Sequence, residues 1–322
     1  MNHKIIKTLG AGLLALAAAG SALAFPDKPV RIVVPYPAGG PTDVAARIVA
    51  ERLAAIWGQP VLVDNKPGAT GAIGTELVTR SAADGHTMLL QIPVMLSTEV
   101  IRPSVGYRTL RDLIPMTTVF VTPPVLVASS AAPVGGLKEV LAAGRAQPRL
   151  LNYGHHGDGT TTHYMGEKMK KLAGVDMVAV PYAGDGPMLT DLLGGHLSTA
   201  FLSAGSAIKA VDSGRARILA VASAKRSPLL PTAPTFAEAG LEGFERESWG
   251  KLFVPTGTPA PVVEQVAREV AKIVRSPDVQ QRFAALGLVG VGGTPVQTLQ
   301  EVRAEHATWV QLVKEFGAPH KP

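Results

Sequence analysis

Two hydrophobic rhythms alternate along this chain. Val30 to Val34 is a short, largely apolar run of the kind that forms a buried strand. Pro35 and Pro37 end it, because neither can donate to a ladder and both fix φ. Gly39 and Gly40 then let the backbone bend. A helix is predicted to follow as far as Trp57, capped by Thr42 or Asp43 and closed by Gly58. Val44, Ile48, Leu53 and Ile56 give it an apolar face. The same sentence is then repeated. Val61 to Asn65 reads as a strand, Lys66 to Gly71 as a glycine turn, and about Ala72 to Ser81 as a helix. Thr87 to Ile92 is a third strand. A repeated strand-turn-helix unit predicts a parallel sheet with helices packed on it. Its turns emerge at the carboxyl edge of the sheet, facing one crevice.

Residues 93 to 116 show no regular period beyond a short helix near Arg108 to Leu113. Val119 to Ser129 is apolar and broken by Pro123-Pro124, which reads as an extended crossing between domains. The pattern then resumes. A helix over Leu137 to Arg145 leads to a third glycine-rich turn, Gly154 to Thr162, and a helix to Leu172. A strand at Met177 to Pro181 leads to a fourth turn, Tyr182 to Pro187, and a helix to Leu193. Leu197 to Leu202 and Ile218 to Ala222 are further strands. The tail reads as a strand at Lys251 to Val254, then a helix from Pro261 to Arg275 facing inward with Val263, Val266, Val270 and Ile273. Thr294 to Gln297 is a capping box for a last helix, whose stripe of Leu299, Val302, Trp309, Val313 and Phe316 reads as core packing.

The first residues stand apart. Lys4 and Lys7 precede the apolar segment Leu9 to Ala19, and Ala22-Leu23-Ala24 is a small-x-small cleavage site before Phe25. This predicts residues 1–24 as a Sec-type signal peptide cut after Ala24, with the rest in the periplasm. The remaining length suits two domains. With 0 cysteines, disulfides, thiolate metal sites and a cysteine nucleophile are excluded. The net charge of +6 is mild and dispersed, with no basic cluster among aromatics, so nucleic acid is not the expected partner.

There is no G-x-S-x-G elbow, no phosphate-binding glycine loop ending in lysine, and no H-E-x-x-H. No catalytic residue, cofactor or metal is therefore expected. His155, His156, Asp158 and His163 are read as a loop donor set or solvated turn, ahead of a metal site. Asp43, Asp158 and Asp185 sit at predicted helix starts and are read first as caps. What remains is glycine turns at helix N-termini, where free N–H groups and the helix dipole suit an anion such as a carboxylate.

The segments FPDKPVRIVVPYPAGGPTDVAAR, GQPVLVDNKPGATGAIG, ADGHT, NYGHHGDGT, PYAGDGPMLTDLLGGHL, ILAVASAKRSPLLPTAPTFAEAG and SWGKLFVPTGTP follow one another over nearly the whole chain. In this order they resemble the substrate-binding receptors of tripartite tricarboxylate transporters, the TctC/Bug type. The resemblance implies a two-lobed α/β periplasmic binding protein (Venus-flytrap) fold, each lobe a mostly parallel sheet flanked by helices. The implied lobes are 25–124 plus 248–322, and 125–247. It implies a monomer that closes on a small organic carboxylate and delivers it to a membrane permease with a large and a small subunit. An envelope sensor and an exported hydrolase are the alternative readings.

By the same resemblance, Tyr36, Ala38, Gly39, Gly40, Thr42 and Asp43, with Gly68, Ala69, Thr70 and Gly71, would hold one ligand carboxylate. The third turn (His155, His156, Gly159, Thr160) and the fourth (Gly184, Asp185), with Leu202, would close over the other end. Two departures matter. Many relatives carry small hydroxyl residues in place of His155 and His156, and many carry an aspartate in place of Leu202. These positions bear on ligand identity, with core packing as the other role open to Leu202.

Overall fold

The computed structural model describes residues 25–132 and 135–317; the expected signal peptide lies outside them. β1 (Val30–Val34) is buried over nearly its whole length and pairs in parallel with both β2 (Val61–Asn65) and β3 (Thr87–Gln91). A Val/Ile run flanked on both sides is what a central parallel strand requires. Between these strands run α1 (Pro41–Trp57), a 3₁₀ turn at Ala69–Gly71 and α2 (Ala72–Thr79). Neither Thr42 nor Asp43 caps α1. The cap is Gly40, and Pro41 enters at the first position, where its missing N–H costs nothing. Gly58 closes the helix at φ 64°.

The stretch read as irregular contains α3 (Val94–Ile101) and α4 (Thr109–Asp112). β4 (Leu113–Thr122) belongs to the first sheet and β5 (Val125–Ser129) to the second, with Pro123-Pro124 between them. In the second unit follow α5 (Leu137–Ala146), β6 (Asn152–His155), α6 (Thr161–Ala173), β7 (Val178–Pro181), α7 (Asp185–Leu193), β8 (Thr199–Leu202), α8 (Ala204–Asp212) and β9 (Ala216–Val221). The chain returns through β10 (Ser248–Pro255), α9 (Ala260–Arg275), α10 (Pro277–Ala284), β11 (Val289–Gly290) and α11 (Pro295–Phe316).

The first sheet has the order β11-β4-β10-β3-β1-β2 and the second β7-β6-β8-β5-β9. Both are mixed rather than mostly parallel. β10 runs antiparallel between β3 and β4, and β5 runs antiparallel between β8 and β9. The physical reason is connectivity: strands that carry the chain between sheets enter without a βα crossover. The parallel part of each sheet is its βαβ part, β1 to β3 in one and β6 to β8 in the other.

Helices cover both faces of the first sheet. Ile32, Val34, Leu53, Val266 and Val270 pack on one face, and Leu89, Met95, Trp249 and Trp309 on the other. α11 carries the expected capping box and buries Val302 and Trp309 fully. Its far end crosses to the second lobe, where Tyr164 donates to the Gly317 carbonyl at 3.0 Å and Lys171 pairs with Glu315 at 2.8 Å. Among the described residues no helix is long and apolar enough to cross a membrane.

Candidate functional site

A cavity of about 430 Å³ lies between the two sheets. The loops that follow all six parallel strands meet there. Tyr36 follows β1, Thr70 follows β2 and Ile92 follows β3; His156 follows β6, Ala183 follows β7 and Ser203 follows β8. This is the carboxyl-edge crevice of two facing α/β sheets. The crossing residues Thr122 to Pro124 and Ser248 form its back. A larger groove of about 1050 Å³ lies on the outer side of the first lobe, between α9 and the start of α11, and none of the six loops reaches it.

In the first lobe the side chain of Asp43 builds the turn without entering the cavity. It is buried, accepts from the Gly39 N–H at 2.9 Å, from Arg47 at 3.0 Å and from Asn65 at 3.0 Å. Burial pushes its carboxyl up, but Arg47, the Gly39 N–H and Asn65 outweigh it and hold the group below the usual range. Asn65 also donates to the Tyr36 carbonyl at 3.1 Å, tying the first turn to the end of β2. Tyr36 hydrogen-bonds Gln91 through its hydroxyl, and burial raises its pKa well above normal, so it stays a neutral donor or acceptor. Ala69 and Thr70 sit at φ 49° and 58°, a left-handed conformation that costs a non-glycine residue energy and concentrates at ligand turns. Gly71 sits at φ 86°, where a side chain would be strained, and a Cβ there would crowd Gln91 Nε2 at 3.0 Å and the Tyr36 hydroxyl at 3.2 Å.

In the second lobe His156 is held from both sides. Its Nε2 meets Asp185 Oδ1 at 2.7 Å and its Nδ1 meets Thr162 Oγ1 at 3.1 Å. Asp185 also accepts from the Ser203 hydroxyl and, at 3.3 Å, from the Ser203 N–H. Burial works to raise the Asp185 pKa, but His156 and Ser203 together pull it down to about 2. Thr160 caps α6 and bonds the Gly157 carbonyl at 2.7 Å. Gly184, at φ 156°, precedes α7. Among the described residues no lysine, arginine, aspartate or glutamate lines the cavity; its polar wall is hydroxyls, backbone and His156.

Of the residues singled out in the sequence, Tyr36, Thr70, His156, Thr160 and Leu202 line the cavity. Ala38, Gly39, Gly40, Thr42, Gly68, Ala69, Gly71, Gly159, Gly184 and Asp185 shape the turns around it. Asp43 and His155 lie buried behind those turns. His155 stacks on His163 with ring centroids 4.8 Å apart. Burial, with His163 adding, pushes its pKa down to about 4, while the Gly157 backbone and Asp158 pull weakly the other way. Leu202 is both things at once: fully buried in the core beside Val125 and Val221, and part of the cavity wall. The sequence reading missed Ile92 to Val94, Thr162 and Ser203 as cavity residues. The available signal was positional, since each follows a strand of the same parallel edge.

The profile of the tripartite tricarboxylate transporter family receptors matches residues 45–318. The chain belongs to this family. Among its relatives, the protein BugT of Bordetella pertussis is 35% identical over 309 residues, 95% of this chain and 94% of BugT. A solved R. palustris protein with adipate is 33% identical with a TM-score of 0.80, covering 90% of this chain and 97% of that one. MatC from Rhodopseudomonas palustris, solved with bound malate, is 31% identical with a TM-score of 0.76, covering 90% and 100%. The family thus contains periplasmic solute-binding proteins solved with small dicarboxylates, and the two-lobed α/β fold is shared with them.

Proposed function

We propose that this receptor is periplasmic and takes a small organic carboxylate without an ammonium group into the cleft between its sheets. It would deliver that acid to a membrane permease with a large and a small subunit. The observation that carries the reading is the cavity walled by six βα loops, with no lysine, arginine, aspartate or glutamate among its described lining residues and with His156 hydrogen-bonded to Asp185. Such a wall stabilises an anion through helix-start N–H groups and hydroxyls, which need no countercharge of their own. Adipate and malate, held by the solved relatives, are of the size the cavity admits.

The absence of an amine site follows from charge. An ammonium in a closed cleft needs a carboxylate in exchange for its water. Leu202 gives the cavity wall an apolar surface there, and Asp185 is committed to His156 and Ser203. Binding without turnover is supported by the family, whose matched members are transporter receptors and periplasmic binding proteins.

The test is native mass spectrometry of freshly purified protein for a co-purifying small acid, followed by a thermal-shift panel of acids with and without an α-amino group. A cognate acid at about 100 times its dissociation constant should stabilise the fold by about 2.7 kcal/mol. Amino acids that stabilise the protein as well as their deaminated counterparts would overturn the ligand class, and turnover of an ester panel would overturn the receptor reading.

A further inference from the structure

The third turn has a second constellation on its hidden side. His155 ends β6, Asp158 lies in the turn, and His163 is in the first turn of α6. One ligand-capable atom from each lies within 4.8 Å of the others. His155 is fully buried, and neither of its ring nitrogens has a hydrogen-bond partner of normal geometry; Nε2 points toward Asp158 Oδ1 at 3.9 Å. A buried imidazole with no hydrogen bond of normal geometry is poorly compensated, and an ion shared with Asp158 and His163 would remove that cost.

We propose that His155, Asp158 and His163 form a binding site for a divalent transition-metal ion, with zinc the ion best suited to two imidazoles and one carboxylate. His156, grouped with them in the sequence, is excluded because Asp185 and Thr162 hold both its nitrogens. An imidazole ligates a metal in its neutral form. Bonds of about 2 Å require donor atoms about 4 Å apart or closer, so the cluster must contract slightly. That adjustment falls on Asp158, half exposed, and on part-buried His163, not on His155. His163 Nδ1 already receives the Gly159 N–H at 3.2 Å, so its lone pair faces into the turn, and the ion would replace that N–H. Three protein donors leave coordination positions for water. In sequence these residues form one short cluster among glycines, which by itself favours a loop donor set or a solvated turn. Folding changes the balance by bringing His163, from the next helix, onto the ring of His155.

The site lies directly behind Thr160 and His156, but its test needs no organic ligand and so stands or falls separately from the receptor reading. The experiment is calorimetric titration of metal-free protein with zinc chloride, compared with Asp158→Ala, His163→Ala and the surface control His196→Ala, each checked for folding by circular dichroism. The expected result is one ion per chain, about tenfold or more weaker in Asp158→Ala and in His163→Ala and unchanged in His196→Ala. Cobalt(II) bound at the same site should show visible absorption bands that Asp158→Ala loses. No saturable zinc binding by the folded protein overturns the proposal. So does binding that both site variants retain, or that His196→Ala abolishes.

Discussion

The pairing of Asp185 with His156 makes a measurable statement about acid stability. A carboxyl held at about 2, against its ordinary 3.8, contributes about 2 kcal/mol at neutral pH. The sign follows from the direction of the shift. Because the folded-state value is depressed, the contribution is complete above about pH 4 and is lost as pH falls toward about 2. Asp185→Asn should therefore be less stable than wild type at pH 7, and the gap should close by about pH 2, where the wild-type carboxyl also becomes neutral. Urea unfolding across that range measures it, and a gap that stays constant with pH would assign the loss to packing instead. At this scale the sequence was readable where chemistry is local. The capping box of Thr294 and Gln297 is as read. Asp43 was not readable, because Asn65, one of the partners that draw it inward, comes from the neighbouring strand. Leu202 belongs to core and cleft alike, because a buried residue at a strand's carboxyl end can serve both.

Elements were legible in proportion to their polar contrast. α9 shows its apolar stripe plainly, with Val263, Val266, Val270 and Ile273 all buried. α3 did not, because Met95, Leu96, Ser97, Thr98 and Glu99 are all buried and no face is marked. α8 buries only Ala204, Ala207 and Ala210, which carry almost no hydrophobic signal, and α10 buries only Val279 and Phe283. The seating of α6 is a glycine contact that sequence periodicity cannot reveal. A Cβ on Gly166 would fall 2.0 Å from the ring of Tyr153, itself fully buried and bonded to Glu167 at 2.7 Å. Gly166→Ala should thus lift α6 from β6 and cost about 1–3 kcal/mol, more than the helix propensity of alanine returns. Because α6 carries Thr160 to Thr162 into the cleft, the same variant should weaken acid binding. Chemical denaturation checks the first expectation, and a neutral or stabilising effect would show that Tyr153 can yield.

At the scale of the molecule, the two sheets are joined where β4 passes into β5 through Pro123-Pro124 and where β9 returns to β10. These crossings stand at the back of the cavity, which is where a hinge between 25–124 plus 248–322 and 125–247 would act. Under the receptor reading, contacts from both lobes favour the closed population once an acid is bound. Small-angle scattering should then show a smaller radius at saturation, and an unchanged radius would mean a cleft that is already closed. The paired architecture was legible early, since the strand-turn-helix unit repeats in two pairs and all four glycine turns reach one cleft. The mixed character of the sheets was not, because strand direction depends on where the chain re-enters.

The central claim is that this cleft binds a small acid through its negative charge. Isothermal titration tests it most directly, using an acid that stabilises the protein and the neutral amide of the same skeleton. The account predicts one saturable site for the acid and an amide affinity about tenfold or more weaker, since the amide removes the charge that the helix starts favour. Equal affinities for the acid and its amide would contradict it.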